Sequence, residues 1–162
     1  PLRSQPLNVV PIYTFFTILL FVSCTERTIY SEQKNLPKNG WDKNSFVDFT
    51  VEIEDTISSY DVLITLRNNE KYPNQNLWLF VEEMAPDSTI KQDTIQCFLV
   101  DNQGYWIGTG VGSLHYVSVF YRQKALFQQK GLYQYRIKHG MRYDLLKGLN
   151  DIGIKIQKLE ED

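Results

Sequence analysis

The residue whose surroundings most clearly indicate a chemistry is Cys24, which ends an uncharged apolar run that begins at Leu7. Residues 21–24 read Phe-Val-Ser-Cys, and Arg3 is the only charged residue ahead of them. An apolar core behind a positive charge, closed by small residues, is typical of an export signal. A serine directly before the cysteine is typical of a bacterial lipobox, with Phe21 standing where leucine is usual. The sequence therefore predicts cleavage after Ser23 and acylation of Cys24.

A plain signal peptide and a buried core helix are the alternatives for this segment. A membrane-spanning helix needs roughly 20 apolar residues, whereas the apolar part from Ile12 to Val22 is short and interrupted by threonines. Two or more acyl chains hold a domain stably at a membrane without spanning it. We expect a lipoprotein signal peptide over 1–23, a lipidated N-terminus and tether over 24–44, and one folded domain over 45–162.

Two further patterns suggest ligand binding but lack the context that binding needs. The glycine string over residues 108–112 is followed by a strand-like segment, whereas a phosphate loop needs a preceding parallel strand and a following helix. We predict a glycine-rich turn or bulge instead. His115 and His139 have no Cys, His or carboxylate at metal-ligand spacing. No metal and no cofactor are expected.

Catalytic patterns are equally unsupported. Ser58 and Ser59 lack the glycines of a nucleophile elbow. Carboxylate pairs such as Glu82 with Glu83 could serve a glycosidase, but solvated strand faces explain them more simply. Once Cys24 is acylated, Cys97 has no disulfide partner and reads as a small buried hydrophobe. The sequence predicts no catalytic residue.

Charge and length limit the class of protein. The chain of 162 residues carries 17 basic and 19 acidic residues, and loss of Arg3 with the signal leaves a net charge of −3 on 139 residues. That length suits one domain. No stripe of Lys and Arg is present that would neutralise several phosphates, so nucleic-acid binding is not expected.

The elements that must carry any site are predicted to be strands. Alternating or continuous apolar segments bounded by turn residues recur every 8 to 12 residues or so, which is typical of an all-β sandwich. The predicted strands cover 46–53, 60–66, 77–81, 93–100, 116–121, 132–138 and 152–156. The turn at Ser58 and Ser59 predicts a hairpin between the first two, and a short helix is expected near 141–146. We predict an antiparallel, jelly-roll-like β-sandwich, with Trp78 in the core, Trp41 partly exposed, and Trp106 either in the core or a stacking platform.

A set of turns and strand ends resembles a known family, the gliding motility lipoprotein GldH family of Bacteroidetes. The order and approximate spacing of the matching residues carry the resemblance over nearly the whole chain after Cys24. These residues are Gly40, Trp41, Asp55, Thr56, Ile57, Tyr60, Leu66, Arg67, Asn68, Asn69, Tyr72, Pro73, Asn76, Leu77, Asp93, Thr94, Gly104, Trp106, Ile107, Gly108, Gly110, Gly112, Phe127, Gly131, Tyr133, Met141, Arg142, Asp151, Ile152 and Gly153.

The resemblance implies a lipid-anchored protein of the cell envelope that is required for gliding and for the associated type IX secretion apparatus. Residues 25–27 carry no readable sorting signal, so the inner membrane, the periplasmic face of the outer membrane and the cell surface stay open, and we favour the outer membrane. The resemblance implies no reaction, and the partners would be other gliding motility lipoproteins and the envelope machinery. The candidate interaction residues are Arg67, Asn68, Asn69, Tyr72, Pro73, Asn76, Trp106, Met141 and Arg142. A precisely built connection between strands explains the segment 67–76 as well as a partner-binding loop does. The alternative function is a glycan-binding sandwich whose exposed aromatic residues, Trp41 or Trp106, stack on sugar rings.

Overall fold

The structure, a computed structural model, describes residues 27–159. The predicted signal peptide and Cys24 lie outside the described residues. Within residues 27–159, no helix combines the length and apolar character needed to cross a membrane.

Eleven strands make up the secondary structure of the described residues. They are β1 (Arg27–Asn35), β2 (Trp41–Asp42), β3 (Val47–Ile53), β4 (Tyr60–Asn69), β5 (Asn76–Met84), β6 (Ile90–Phe98), β7 (Thr109–Val111), β8 (Leu114–Ala125), β9 (Gly131–His139), β10 (Leu145–Leu146) and β11 (Leu149–Lys158). All pairings between them are antiparallel.

The strands form two main sheets, ordered β1-β11-β4-β8-β7 and β3-β9-β5-β6, with a small β10-β2 pair beside them. The eight long strands pair as β1 with β11, β3 with β9, β4 with β8, and β5 with β6, so each pair lies inside the previous one along the chain. This is a long antiparallel ribbon rolled into two layers, the arrangement of a jelly roll. The predicted antiparallel, jelly-roll-like sandwich is confirmed.

The core lies between the two layers and follows from the alternation of side chains along each strand. In β3, Phe49, Val51 and Ile53 are buried while Thr50 and Glu52 between them are exposed. Central strands β4 and β11 bury residues on both faces over most of their length. The predicted buried Cys97 is confirmed at zero exposure, and burial raises the pKa of its thiol to about 12.

Two ends of the sandwich can be named from the first strand. The "Arg27 end" holds the start of β1 and the loops at 54–59, 85–89 and 126–130. The "Asn35 end" holds the end of β1 and the loops at 36–46, 70–75, 99–108 and 140–148. Because β1 has nine residues, the two ends lie about 27 Å apart at roughly 3.4 Å per residue.

Three sequence predictions differ from the structure. Residues 27–35 form strand β1 rather than a tether, because β11 offers them a continuous partner from Lys158 to Asp151. The predicted hairpin of β3 with β4 is wrong, since the turn at 54–59 carries the chain from one sheet to the other. No helix forms at 141–146, where Leu145 and Leu146 instead pair with Asp42 and Trp41.

Candidate functional site

The last residues of β4 lie at the Asn35 end, and the candidate interaction segment 67–76, the sequence motif, begins there. Arg67 lies opposite Asp151 of β11 on one side and Tyr116 of β8 on the other. Asn68 is fully buried, and neither polar atom of its side chain has a hydrogen-bond partner among the described residues. The motif thus sits where the central strands of the larger sheet end.

An ion pair joins two of these strands. Arg67 donates to Oδ2 of Asp151 from Nε at 2.6 Å and from Nη2 at 2.5 Å. The Asp151 side chain is only 1% exposed, whereas that of Arg67 is 41% exposed. A buried carboxylate without a cation is strongly destabilising, so Arg67 has a structural task in addition to lining the surface.

The turn after β4 is fixed by its own hydrogen bonds. Asn69 Oδ1 accepts the Lys71 amide at 2.9 Å, and the Asn69 side-chain amide donates to Asn150 at 2.6 Å. The Tyr72 hydroxyl donates to the carbonyl of Asn76 at 2.7 Å, and burial raises the pKa of Tyr72 above its usual value. The interpretation of this segment as a precisely built connection is therefore supported by the bonds of Asn69 and Tyr72.

Beside this turn lies a cleft of about 910 Å³. Three exposed lysines, Lys38, Lys71 and Lys147, line it together with Arg67, while Asp151, already paired with Arg67, is its acidic residue. Asparagine amides from residues 35, 39, 69 and 150 supply further polar atoms. We call this the cationic cleft, and its charge suits a partner that presents carboxylates or other anions.

A second cleft of about 490 Å³ lies at the same end on the smaller sheet. Trp78, Phe80 and Tyr143 line it, with exposed fractions of 39%, 41% and 42%, and we call it the aromatic cleft. Met141 and Arg142 complete the wall, and Met141 Sδ lies 3.3 Å from the Trp78 amide. The prediction that Trp78 is a core residue is wrong, because Leu77 and Leu79 take the inward positions of β5 and leave Trp78 facing outward.

Trp41 is the tryptophan that the core contains. It is 1% exposed, its indole donates to the Ser45 carbonyl at 3.0 Å, and its ring meets His139 edge-on at 5.4 Å. Nε2 of His139 lies 3.0 Å from the Trp41 carbonyl. Burial lowers the pKa of His139, so the imidazole is held neutral. The expectation that Trp41 is partly exposed is wrong, and with it the use of Trp41 as a sugar platform.

Trp106 lies apart from both clefts. Its half-buried ring stacks on His115, with centroids 5.2 Å apart and planes 18° from parallel. The turn or bulge predicted over 108–112 is wrong for Thr109–Val111, which form strand β7; Gly112 does lie in a turn, because Gly112 and Ser113 connect β7 to β8 as a two-residue loop and the Gly112 φ of +66° suits glycine. Since His115 covers one face of the indole, Trp106 has at most one face free for a ligand.

The structure brings the candidate residues together in two groups. Arg67 and Asn69 line the cationic cleft, Asn76, Met141 and Arg142 line the aromatic one, and Tyr72 is buried beneath the turn between them. Pro73 is exposed on that turn.

Sequence reasoning missed the lysines of the cationic cleft and Tyr143. The signal was present in part. Lys38 follows Pro37, and Lys147 precedes Gly148, so both lysines stand beside turn residues that face solvent.

The other patterns examined in the sequence form no site in the described chain. Glu82 and Glu83 point to opposite faces of β5, with Glu83 buried near Arg122 and Glu82 near Arg136 on the outer surface. No group of three or more His, Cys, Asp and Glu side chains within residues 27–159 is placed to hold a metal ion.

Comparison of the sequence with known proteins finds similar proteins of one family. The family model described as GldH lipoprotein matches residues 28–156. A gliding motility lipoprotein GldH homolog of Christiangramia forsetii is 31% identical over 150 residues, covering 88% of this chain and 91% of the relative. Gliding motility lipoprotein GldH of Flavobacterium johnsoniae is 30% identical over 148 residues, covering 87% and 91% respectively. No solved structure matches the chain significantly.

Proposed function

Because this chain belongs to the GldH lipoprotein family, we propose that it is a non-enzymatic gliding motility lipoprotein that assembles with and stabilises other gliding and type IX secretion lipoproteins. Cys24 carries the lipid, palmitate among its acyl chains, and holds the protein in the outer membrane. The relatives' names, which describe gliding motility lipoproteins, support the motility role.

The observation that carries the assembly role is the cationic cleft. Four residues with positively charged side chains line one opening, and among residues 27–159 only Arg67 of these four is paired with a buried carboxylate. The turn beside the cleft is held by hydrogen bonds of Asn69 and Tyr72, so its shape is set before a partner arrives. A preorganised surface of one charge sign favours association with an acidic surface of a neighbouring protein.

A charge-matched pair of variants tests this role. In Lys38→Gln/Lys71→Gln/Lys147→Gln the cleft loses three positive charges. In the control Ser31→Glu/Thr50→Glu/Ser118→Glu the net charge falls by the same three units on exposed strand positions.

We expect the cleft variant to reach the envelope at the wild-type level but to lower gliding speed and the abundance of the partner lipoproteins, measured by quantitative mass spectrometry of envelope fractions. The control should change neither quantity. Normal gliding and normal partner levels in the cleft variant would contradict the proposal, as would normal partner levels in a deletion strain.

The aromatic cleft favours a second candidate, a glycan-binding lipoprotein. Three half-exposed aromatic rings beside Asn74, Asn76 and Arg142 combine a stacking surface with hydrogen-bonding groups. The platform is Trp78 rather than the Trp41 or Trp106 expected from the sequence. Affinity electrophoresis against envelope polysaccharides should show retardation that Trp78→Ala removes and Phe120→Ala, a change at a 50% exposed aromatic elsewhere, leaves intact. Equal mobility of all three proteins would exclude this candidate.

A further inference from the structure

The Arg27 end exposes apolar side chains on its loops. Ile57 is 82% exposed in the loop 54–59, Leu126 is 59% exposed in the loop that follows β8, and Ile90 at the start of β6 is 58% exposed. Single exposed apolar residues are ordinary on protein surfaces. Loops of the Asn35 end also expose such residues, Tyr105 and Ile107 among them, so what distinguishes the Arg27 end is that it is the end nearest to Cys24 in the chain.

The loop that carries Ile57 is held in one shape. Asp55 Oδ1 accepts the Ile57 amide at 2.9 Å, while Oδ2 accepts the Ser58 hydroxyl at 2.7 Å and the Lys158 ammonium at 2.6 Å. The Tyr60 hydroxyl donates to the Asp55 carbonyl at 2.9 Å. The side chain of Ile57 is thus displayed outward by a fixed frame rather than by a loose loop.

Covalent length places this end close to any membrane that holds Cys24. Cys24 precedes Arg27 by three residues, and three residues span at most about 11 Å. Arg27 lies opposite Lys158, which in turn lies opposite Tyr60. At roughly 4.8 Å between neighbouring strands, Arg27 is about 10 Å from Tyr60, next to the loop that carries Ile57.

We propose that the Arg27 end is a membrane-docking surface, with Ile57 and Leu126 inserted among the lipid headgroups beside the acyl chains on Cys24. The proposal rests on the acylation of Cys24 put forward above. Exposed Lys124 and Lys130 stand on either side of Leu126, but exposed Glu54 and Asp87 lie on the other two loops of this end, so apolar contact rather than net charge carries the docking. The occupant is the bilayer because the chain from Cys24 leaves no room for a protein layer between this end and the lipid.

The docked orientation has a defined energetic origin. Moving one isoleucine or leucine side chain out of water favours the docked state by about tenfold or more. The lipid anchor already confines the domain to the surface, so these side chains set its orientation rather than its attachment. With the Arg27 end down, the cationic cleft stands about 27 Å above the surface, at the far end of β1.

Depth-dependent fluorescence quenching on the full acylated protein tests the orientation. The protein is reconstituted in vesicles of phosphatidylethanolamine and phosphatidylglycerol and labelled with bimane at Ile57→Cys, or at Ser113→Cys in the turn at the opposite end. Cys97 does not compete for the label because it is buried and its pKa is raised. We expect nitroxide-labelled lipids to quench the label at position 57 and not the label at position 113.

A matched pair of substitutions then tests the apolar contacts. With the label at Lys130→Cys, Leu126→Asp should lower the ratio of docked to undocked protein, read from quenching by lipid nitroxides, about tenfold or more. Ile107→Asp, a control at a 38% exposed residue of the Asn35 end, should leave quenching unchanged.

The outcomes separate the docking surface from the anchor. If the mass of the protein purified from membranes shows no acyl groups on Cys24, both the anchor and the docking are overturned. An acylated protein whose label at position 57 is as accessible to an aqueous quencher as the label at position 113 overturns docking alone. Protection from the aqueous quencher without quenching by lipid nitroxides shows that protein covers this end, which also overturns the lipid proposal.

Discussion

Removal of the guanidinium of Arg67 should destabilise the fold by leaving a buried negative charge. In Arg67→Met, the carboxylate of Asp151, which is 1% exposed in the native structure, loses both of its hydrogen bonds from arginine. Breaking a buried ion pair costs about 3 to 5 kcal/mol. Because the Arg67 side chain is 41% exposed, water can reach the vacated position, and we expect the lower value, about 3 kcal/mol. That corresponds to a fall in Tm of roughly 12 °C for a domain of this size.

Urea unfolding followed by tryptophan fluorescence measures this change, since Trp41 is fully buried and should report the loss of the core. Asp151→Asn removes the charge, so the double variant Arg67→Met/Asp151→Asn should be more stable than Arg67→Met by about 2 kcal/mol. Arg142→Met, at an exposed arginine, should change stability by less than about 0.5 kcal/mol. The reasoning fails if Arg67→Met lies within that same range or if the double variant is no more stable than Arg67→Met.

Three further predictions follow from the packing. In urea unfolding, Gly148→Ala should lower the free energy of unfolding far more than Gly104→Ala, although the two glycines have similar φ angles of +86° and +90°. A Cβ at position 148 would lie 2.2 Å from the Tyr72 amide nitrogen, whereas nothing lies within 4 Å of a Cβ at position 104. Gly104→Ala should lower the free energy of unfolding by about 1 kcal/mol, and an equal effect of the two substitutions would contradict the steric argument. Burial sets the folded-state pKa of His139 below its unfolded value of about 6.5, so the contribution of the neutral imidazole to stability is complete above pH 6.5 and is lost as the pH falls. Between pH 7.5 and pH 5 the Tm should therefore fall less in His139→Gln than in the wild type, and parallel Tm curves for the two proteins would refute this. Maleimide should fail to modify Cys97 in the native protein at pH 7 and should modify it in urea, because the thiol is buried and its pKa is about 12; native labelling at the denatured rate would disprove it.

Alternation along the strands made the faces of the fold predictable, but not the neighbours of each strand. The apolar residues of β3 and β4 identify both as strands. The turn at Ser58 suggested a local hairpin, yet β3 pairs with β9 and β4 with β11, far along the chain. Local sequence carries the period of a strand, whereas its partner depends on how the whole ribbon rolls up.

The tryptophans show the same limit at the level of single residues. The run 77–81 is apolar throughout, so no alternation marked Trp78 as outward-facing. In a two-layer antiparallel sandwich only one face of such a strand meets the core, and Leu77, Leu79 and Val81 occupy it. Trp41 lies in a strand of only two residues, too short to show any period, and its burial depends on distant β10.

Only part of the cationic cleft could be predicted from the sequence. Arg67 and Asn69 stood out as part of an unusual turn. The three lysines are separated by more than 100 residues between Lys38 and Lys147, and the pairing of β11 with both β1 and β4 brings their loops to one end. A cluster of this kind has no local pattern, so it cannot be read before the topology is known.

The position of β11 bears on how the exported chain reaches its folded state. This strand follows the other ten described strands in the chain, yet it lies between β1 and β4 in the larger sheet. Until residues 149–158 have left the secretion channel, both neighbours expose unpaired backbone and apolar side chains, which are hazards for aggregation. Pairings of such long sequence separation also form slowly, on the scale of milliseconds to seconds. A chain truncated ahead of β11 would leave β1 without a partner strand and β4 with an open edge, so we expect proteases to degrade it faster than the full chain.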